Sequence, residues 1–273
     1  MNYLEFDFEI KSGQQSEQLI ALLNEQGFDG FEEEGDSNLK AYIPEERFKE
    51  EAFSVVLTLF TEIIYTKTII EHVNWNQKWE TDFKPVMIDN YVAIRAGFHQ
   101  PIGGMEHEII ITPKMSFGTG HHATTHLMIQ QMQGMNFAGK SVLDFGTGTG
   151  VLAILAEKAG ANSVLAIDYD EWSVTNTIEN IQQNECSKIE VLNLDKIPQH
   201  IKFDIILANI NLNVILNNLT SIVNAANAGC QILMSGFLKE NESEMIQALE
   251  KVKLANIKTS QRGDWITLSI NSV

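Results

Sequence analysis

Basic residues are scarce in this chain: 19 Lys and Arg stand against 36 Asp and Glu in 273 residues, a formal charge of −17. That deficit opposes non-specific attachment to a phosphate backbone and leaves a basic partner, or plain solubility, as its use. Cysteine is rarer still. Cys186 and Cys230 have no metal-type spacing, which fits free buried thiols in a reducing cytosol. No apolar run approaches the roughly 20 residues that cross a bilayer. The first residues, Met1 to Asp7, have neither the basic region nor the apolar core of an export signal. These absences lead us to expect a cytoplasmic protein with no membrane partner and no direct sequence-specific contact to nucleic acid. What remains, 44% hydrophobic and 20% charged residues, is ordinary globular composition, and the length is comfortable for two domains.

The most informative stretch is Val142-Leu143-Asp144-Phe145-Gly146-Thr147-Gly148-Thr149-Gly150, followed at once by the apolar Val151–Leu155. It reads as a buried strand, a glycine turn and the first turn of a helix, the layout of a nucleotide site in a doubly wound sheet. Glycines let backbone N–H groups approach a ligand without a Cβ in the way, and the helix start offers further unpaired donors. The spacing is Gly-x-Gly-x-Gly. A dinucleotide fingerprint, Gly-x-Gly-x-x-Gly, wants glycine where Val151 stands.

Residues 1–68 hold 15 acidic against 5 basic side chains, −10 of the total charge. Leu4, Phe6, Phe8 and Ile10 alternate as in a half-buried strand. Residues 15–26 carry a helical apolar stripe that ends at Gly27. Strand-like segments follow at Phe28–Phe31 and Leu39–Ile43, then a helix opened by Pro44 and Glu45 through about Leu59, then a strand over Ile63–Ile70. The order β-α-β-β-α-β predicts a small α+β ferredoxin-like domain over residues 1–70, either a structural appendage or a substrate-recognition arm. Glu32-Glu33-Glu34 reads as a solvated loop. Residues 71–85 form a linker in which Trp75 and Trp79 share a helix face for packing.

From residue 86 to 273 the chain reads as a Rossmann-like α/β domain. Strands at Tyr91–Ala96 and Glu108–Thr112 are split by the turn-rich Gln100–Gly104. Phe117-Gly118-Thr119-Gly120-His121-His122-Ala123-Thr124-Thr125 is a small polar loop able to fold over a ligand, with Thr124 or Thr125 placed to cap the following helix. His121, His122 and His126 raise the question of a metal, but the Glu of His-Glu-x-x-His and a third ligand are both missing, so none is expected. Strands and helices then alternate, which predicts a mostly parallel sheet covered on both faces, with a terminal hairpin as an antiparallel edge. Asp168 closes the second of these strands, 22 residues after Gly146, where an acid binds ribose hydroxyls. An N-cap for the helix at Trp172–Asn184 is its alternative role. Asn209 closes the fourth strand, and its amide is suited to orient an amine or a carboxylate; a turn-forming role is the alternative.

Leu143-Asp144-Phe145-Gly146-Thr147-Gly148-Thr149-Gly150 with Asp168 resembles the S-adenosylmethionine site of seven-stranded methyltransferases. The Phe117–Thr125 loop, Ala208-Asn209-Ile210 and Trp75, Trp79 and Pro85 are similar to those of the bacterial ribosomal protein L eleven methyltransferase family, and the resemblance covers essentially the whole chain. It implies S-adenosylmethionine as cofactor, contacted by Thr125, Gly146, Asp168 and Asn209. Phe117, Gly118 and Thr119 of the loop and Asp144 and Gly148 of the turn complete the expected cofactor set. It also implies methylation of lysine side chains and the N-terminal α-amine of a large-subunit ribosomal protein, with Asn209 aiming the amine. Two departures stand out. Ile210-Asn211-Leu212 follows Asn209, so the Asn-Pro-Pro-Tyr of many nucleic-acid and glutamine methyltransferases is absent. Lys114-Met115-Ser116 replaces the Pro-Gly-Leu/Met-Ala expected before the loop. The rival readings are a methyltransferase for RNA or a small molecule, a cofactor-binding regulator without turnover, and a nicotinamide dehydrogenase.

Overall fold

The computed structural model describes residues 2–35, 37–60, 63–70, 83–114 and 116–271. The chain divides into two compact units, Met1–Asp82 and Phe83–Val273. Trp75, Trp79 and most of the expected linker lie outside the described residues.

In the first unit, strands β1 (Tyr3–Glu9), β2 (Gly30–Glu34), β3 (Asn38–Pro44) and β4 (Tyr65–Ile70) form a sheet in the order β2-β3-β1-β4. Every neighbouring pair is antiparallel. Helices α1 (Gly13–Glu25) and α2 (Glu50–Thr58) complete the ferredoxin-like arrangement. The period-two pattern sends Leu4, Phe6, Phe8 and Ile10 to one side, where they meet Leu19, Leu23, Phe28 and Phe53 in a single core. Phe6 sits at its centre, with ring centroids of Phe53 and Phe48 at 4.6 and 5.1 Å. Burying one such side chain contributes about 1.5–3 kcal/mol. Two expectations need correction. Glu32-Glu33-Glu34 is the end of β2, paired to β3. Poor strand propensity is overridden by that pairing and by bonds to Glu33 from the Ser16 hydroxyl and to Glu32 from the Tyr42 hydroxyl. The single helix expected from Pro44 is a short 3-10 turn, Glu45–Arg47, then α2, because Phe48 breaks into extended backbone to reach the aromatic core.

The second unit opens with β5 (Val86–Ile88), β6 (Val92–Ala96) and β7 (His107–Ile111). β6 and β7 are parallel although no helix connects them. The buried Arg95 secures the connection, donating to the His99 carbonyl and to Glu108, which in turn accepts from the Ile102 N–H. The main sheet contains β8 (Ser141–Phe145), β9 (Ser163–Asp168), β10 (Ile189–Asn193), β11 (Phe203–Asn209), β12 (Ala226–Leu238), β13 (Ile257–Arg262) and β14 (Trp265–Asn271). Their order is β10-β9-β8-β11-β12-β14-β13. The first five are parallel, and β13 and β14 add the expected antiparallel edge.

Val142, Val164 and Leu207 belong to one core and Leu143, Leu165 and Ile206 to the other, on opposite faces of the sheet. Burial on both faces is why these strands read as continuous apolar runs. Helices α3 (Ala123–Gln133), α4 (Val151–Lys158) and α5 (Glu171–Gln183) contribute to or flank the first core, and α6 (Leu212–Ala225) and α7 (Glu242–Lys251) build the second. The strand order reverses between β8 and β11, which opens a crevice beyond their carboxyl ends.

Candidate functional site

A cavity of about 640 Å³ occupies that crevice. Gly146 and Gly148 of the turn after β8, Asp168 at the end of β9, Asn209 at the end of β11 and Phe117 of the preceding loop all line it. The turn differs from the expectation in one respect. Every N–H from residue 146 to 150 already has a protein acceptor: Gly146 and Thr147 donate to the Ile167 carbonyl, Gly148 to Asp168 Oδ2, Thr149 to the Phe117 carbonyl and Gly150 to the Thr147 carbonyl. The turn therefore supplies shape, not donors. Its glycines are required by close neighbours: a Cβ on Gly146 (φ 78°) would lie 2.1 Å from Ile210 Cγ2, and one on Gly148 (φ 57°) 2.3 Å from the Phe117 carbonyl oxygen.

Asp168 is buried, and its two oxygens accept from the N–H groups of Gly148 (2.9 Å) and Asp170 (3.1 Å). A carboxylate has about four lone-pair sites, so both oxygens keep acceptor capacity for a ligand hydroxyl. Asp170, not Asp168, caps α5, accepting from the N–H groups of Trp172 and Ser173. Asp144 lies behind the turn, fully buried, and accepts from the Thr147 hydroxyl at 2.7 Å. Burial pushes its carboxyl up to about 7; repulsion from Asp168 adds to this, while the Thr147 hydroxyl and the Ala153 N–H oppose it.

Asn209 donates through Nδ2 to the Thr125 hydroxyl at 3.3 Å, and its Oδ1 is buried with no protein partner. Thr125 is wholly buried beneath it and is not among the residues lining the cavity. The loop before α3 rests on the glycine turn: the Phe117 carbonyl accepts from the Thr149 N–H, and the Gly118 carbonyl from the Thr149 hydroxyl. His122, not Thr124 or Thr125, caps α3; its Nδ1 accepts from the Thr124 N–H. His121 bonds the Lys84 carbonyl through Nε2 at 3.0 Å and Thr119 Oγ1 through Nδ1 at 3.1 Å. A carbonyl only accepts, so Nε2 carries the proton and, in the neutral ring, Nδ1 accepts from the Thr119 hydroxyl. Ahead of this loop, Lys114 pairs with Glu179 of α5, and Met115 lies outside the described residues.

Several participants escaped the sequence reading. Trp265, from the distant hairpin, joins Phe117 around His122, with ring centroids 4.6 and 5.1 Å from the imidazole. Burial lowers the His122 pKa, so the ring is neutral at pH 7. Tyr169 lines the cavity yet is largely exposed, and its position directly after Asp168 was the available signal. Thr177 and Asn180, one turn apart on α5, donate to the Gly148 and Thr149 carbonyls. The arrangement as a whole is rich in acceptors: the cavity is lined by Asp168, Asp170 and Asp195 as well as Asn209. Such a wall suits a ligand that carries hydroxyls and positive charge. A pyrophosphate needs free N–H donors, and the turn has none among its five.

The family model described as ribosomal protein L11 methyltransferase matches residues 9–272. The chain is 38% identical over 274 residues to a ribosomal protein L11 methyltransferase of Bacteroides fragilis, covering 97% of this chain and 98% of the relative. It is 37% identical over 281 residues to the protein of that name from Chlorobaculum parvum, covering 98% and 96%. The crystal structure of a ribosomal protein L11 methylase from Lactobacillus delbrueckii subsp. bulgaricus superposes with a TM-score of 0.65 at 29% identity, over 70% of this chain and all of that one.

Proposed function

This chain belongs to the ribosomal protein L11 methyltransferase family, and we propose that it transfers methyl groups from S-adenosylmethionine to amino groups of ribosomal protein L11, namely lysine side chains and the N-terminal α-amine. The observation that supports this most directly is the pairing of an acceptor-lined cavity with a glycine turn whose N–H groups are all engaged. That combination fits a cationic adenosine ligand and not a dinucleotide.

When bound, S-adenosylmethionine supplies a methyl group already activated by its sulfonium charge. Asp168 accepts from the ribose hydroxyls with the lone pairs that Gly148 and Asp170 leave open. Gly146, Gly148 and Phe117 shape the wall beside it, Gly118 and Asp144 hold that wall from behind, and Thr119 bonds His121 within the loop. Asn209 Oδ1 accepts from an N–H of the target amine and so directs its lone pair; Thr125 contributes through its bond to Asn209. A lysine amine of ordinary pKa must first lose a proton, a cost of roughly 4.6 kcal/mol at pH 7. Desolvation beside the positive charge of a bound cofactor would reduce that cost by disfavouring the ammonium. The neutral His122 adds no charge against the substrate.

The acidic first unit, a compact body with its own core, is the recognition arm, and a basic substrate would be drawn to it. No described helix is long and apolar enough to cross a membrane, and the reading assigns the protein to the cytoplasm, with no nucleic acid or membrane partner. The decisive experiment incubates the purified protein with methyl-labelled S-adenosylmethionine, L11 and ribosomal RNA, then locates the label by intact-mass and peptide analysis. Label on L11 amines is expected. Label in RNA, or cofactor binding without any transfer, would replace this reading.

A further inference from the structure

Thr125 carries no role in the cavity wall, and its placement raises a question about Asn209. An asparagine side chain has two ends of nearly equal shape and opposite hydrogen-bonding sense. Its place at the end of β11 brings the amide to the cavity but does not decide which end faces the ligand or how firmly. We propose that Thr125 is a positioning residue: it anchors the Asn209 NH2 and thereby holds the Asn209 carbonyl toward the reacting amine.

Four observations carry this. Thr125 is fully buried in the first turn of α3, and Asn209 is 8% exposed at the end of β11. The Thr125 hydroxyl is the hydrogen-bond partner of Asn209 Nδ2, at 3.3 Å. Asn209 Oδ1, the other end of the same amide, is buried and unpartnered, and Asn209 is one of the residues that line the cavity. Finally, the charged residues of the wall, Asp168, Asp170 and Asp195, are all carboxylates. A site built for cations and amine N–H groups favours the carbonyl outward, which leaves the NH2 in need of an acceptor inside. Thr125 is that acceptor. Without it, the NH2 would be buried with no partner in this orientation, and the amide would rotate to a less productive one.

The inference rests on the reading of the cavity as an amine methyltransferase site, and it separates two roles for Thr125, contact with the cofactor and action through Asn209. Thr125→Val keeps the volume and removes the hydroxyl; Thr125→Ser keeps the hydroxyl. Thr267→Val is the control: it removes another fully buried hydroxyl, itself unpartnered, from the same register row, since Asn209 pairs with Ser235 and Ser235 with Thr267. We expect Thr125→Val to lower kcat for L11 about tenfold, the loss of one buried hydrogen bond, with S-adenosylmethionine affinity by calorimetry within twofold of wild type. Thr125→Ser should restore most of the rate, and Thr267→Val should leave it unchanged. In the Asn209→Ala background, Thr125→Val should add less than a twofold loss. Independently of any substrate, the Asn209 side-chain NH2 signals, assigned by their disappearance in Asn209→Ala, should shift in Thr125→Val and stay in Thr125→Ser.

A parallel loss of cofactor affinity in Thr125→Val would overturn the proposal in favour of direct contact. So would additive losses in the double variant, an equal effect from Thr267→Val, or NH2 signals that do not move. If the wild-type protein transfers no methyl to L11, the functional reading fails by itself, and the NH2 signals still decide the role of Thr125.

Discussion

Gly148 donates to Asp168, and Asp144 holds the same turn through Thr147, yet substitutions at these three positions should fail in three different ways. Asp168→Asn removes charge while keeping shape, and S-adenosylmethionine affinity should drop roughly ten- to a hundredfold, the value of hydrogen bonds to a charged acceptor. Titration calorimetry measures this, and unchanged affinity would remove Asp168 from the ribose site. Gly148→Ala places a Cβ at positive φ and against the Phe117 carbonyl, so it should cost at least about 2 kcal/mol of folding stability before any ligand is added. Asp144 acts through pH. Its folded pKa, about 7, stands above the ordinary 3.8, so the folded state keeps a proton that the unfolded chain releases. The stability it lends is full below about pH 4, declines as pH rises to 7 and is lost above that. The whole effect is on the order of 4 kcal/mol at most. Urea unfolding across this range should show a steeper decline for the wild type than for Asp144→Asn; equal slopes would rule out this titration.

At this scale the sequence was informative about identity and silent about partners. Asp168 and Asn209 were visible because each ends an apolar run that reads as a strand, and such ends are where ligands bind. That the N–H groups of 146–150 are all engaged was not visible, since Phe117 and Asp168 come from elsewhere in the chain. Thr125 was legible only by resemblance, because a threonine in a polar loop gives no local sign of what its hydroxyl will meet.

Among elements, α5 does the most varied work. Asn176, Asn180 and Asn184 follow one another at single-turn spacing along and just past its end. Asn180 Oδ1 accepts from the Thr112 N–H, Asn184 accepts from the Ile110 N–H and donates to its carbonyl, and Asn176 donates to the Thr112 carbonyl. Side-chain amides thus take the place of a neighbouring strand along the free side of β7, and sheet edges left open invite association. Asn180 also reaches the Thr149 carbonyl, so one side chain ties both β7 and the glycine turn to α5. Asn180→Ala should destabilise the protein by about 1–3 kcal/mol and accelerate hydrogen exchange at the Thr112 amide; an unchanged exchange rate would show the ladder to be dispensable. The repeat of asparagines four apart is plain in the sequence, but a polar stripe on a helix ordinarily means solvent. Only the placement of α5 against β7 turns it into a buried seam.

For the molecule as a whole, the division into two bodies was legible from the shift in charge and strand pattern, because each body closes its own core. The edge strand Glu32–Glu34 was misjudged for the same reason that makes acidic β-strands hard to see: pairing, not propensity, holds it. A protein shortened to residues 83–273 should retain S-adenosylmethionine binding and lose methylation of L11, and retention of both activities would reject the recognition-arm assignment. With −10 of the charge concentrated in residues 1–68, association of the full chain with L11 should weaken as salt rises, most steeply below about 0.15 M. Surface plasmon resonance at several ionic strengths would register this in the on-rate.

The seating of the 117–118 carbonyls on Thr149 has a consequence in populations. The cavity wall is complete only in molecules whose loop is seated, so the measured dissociation constant equals the intrinsic one divided by that fraction. A loop seated one time in ten would weaken apparent binding tenfold, about 1.4 kcal/mol, with no contact to the ligand altered. Under such an equilibrium affinity would be set in two places, at the atoms that touch the cofactor and at two hydrogen bonds that never meet it.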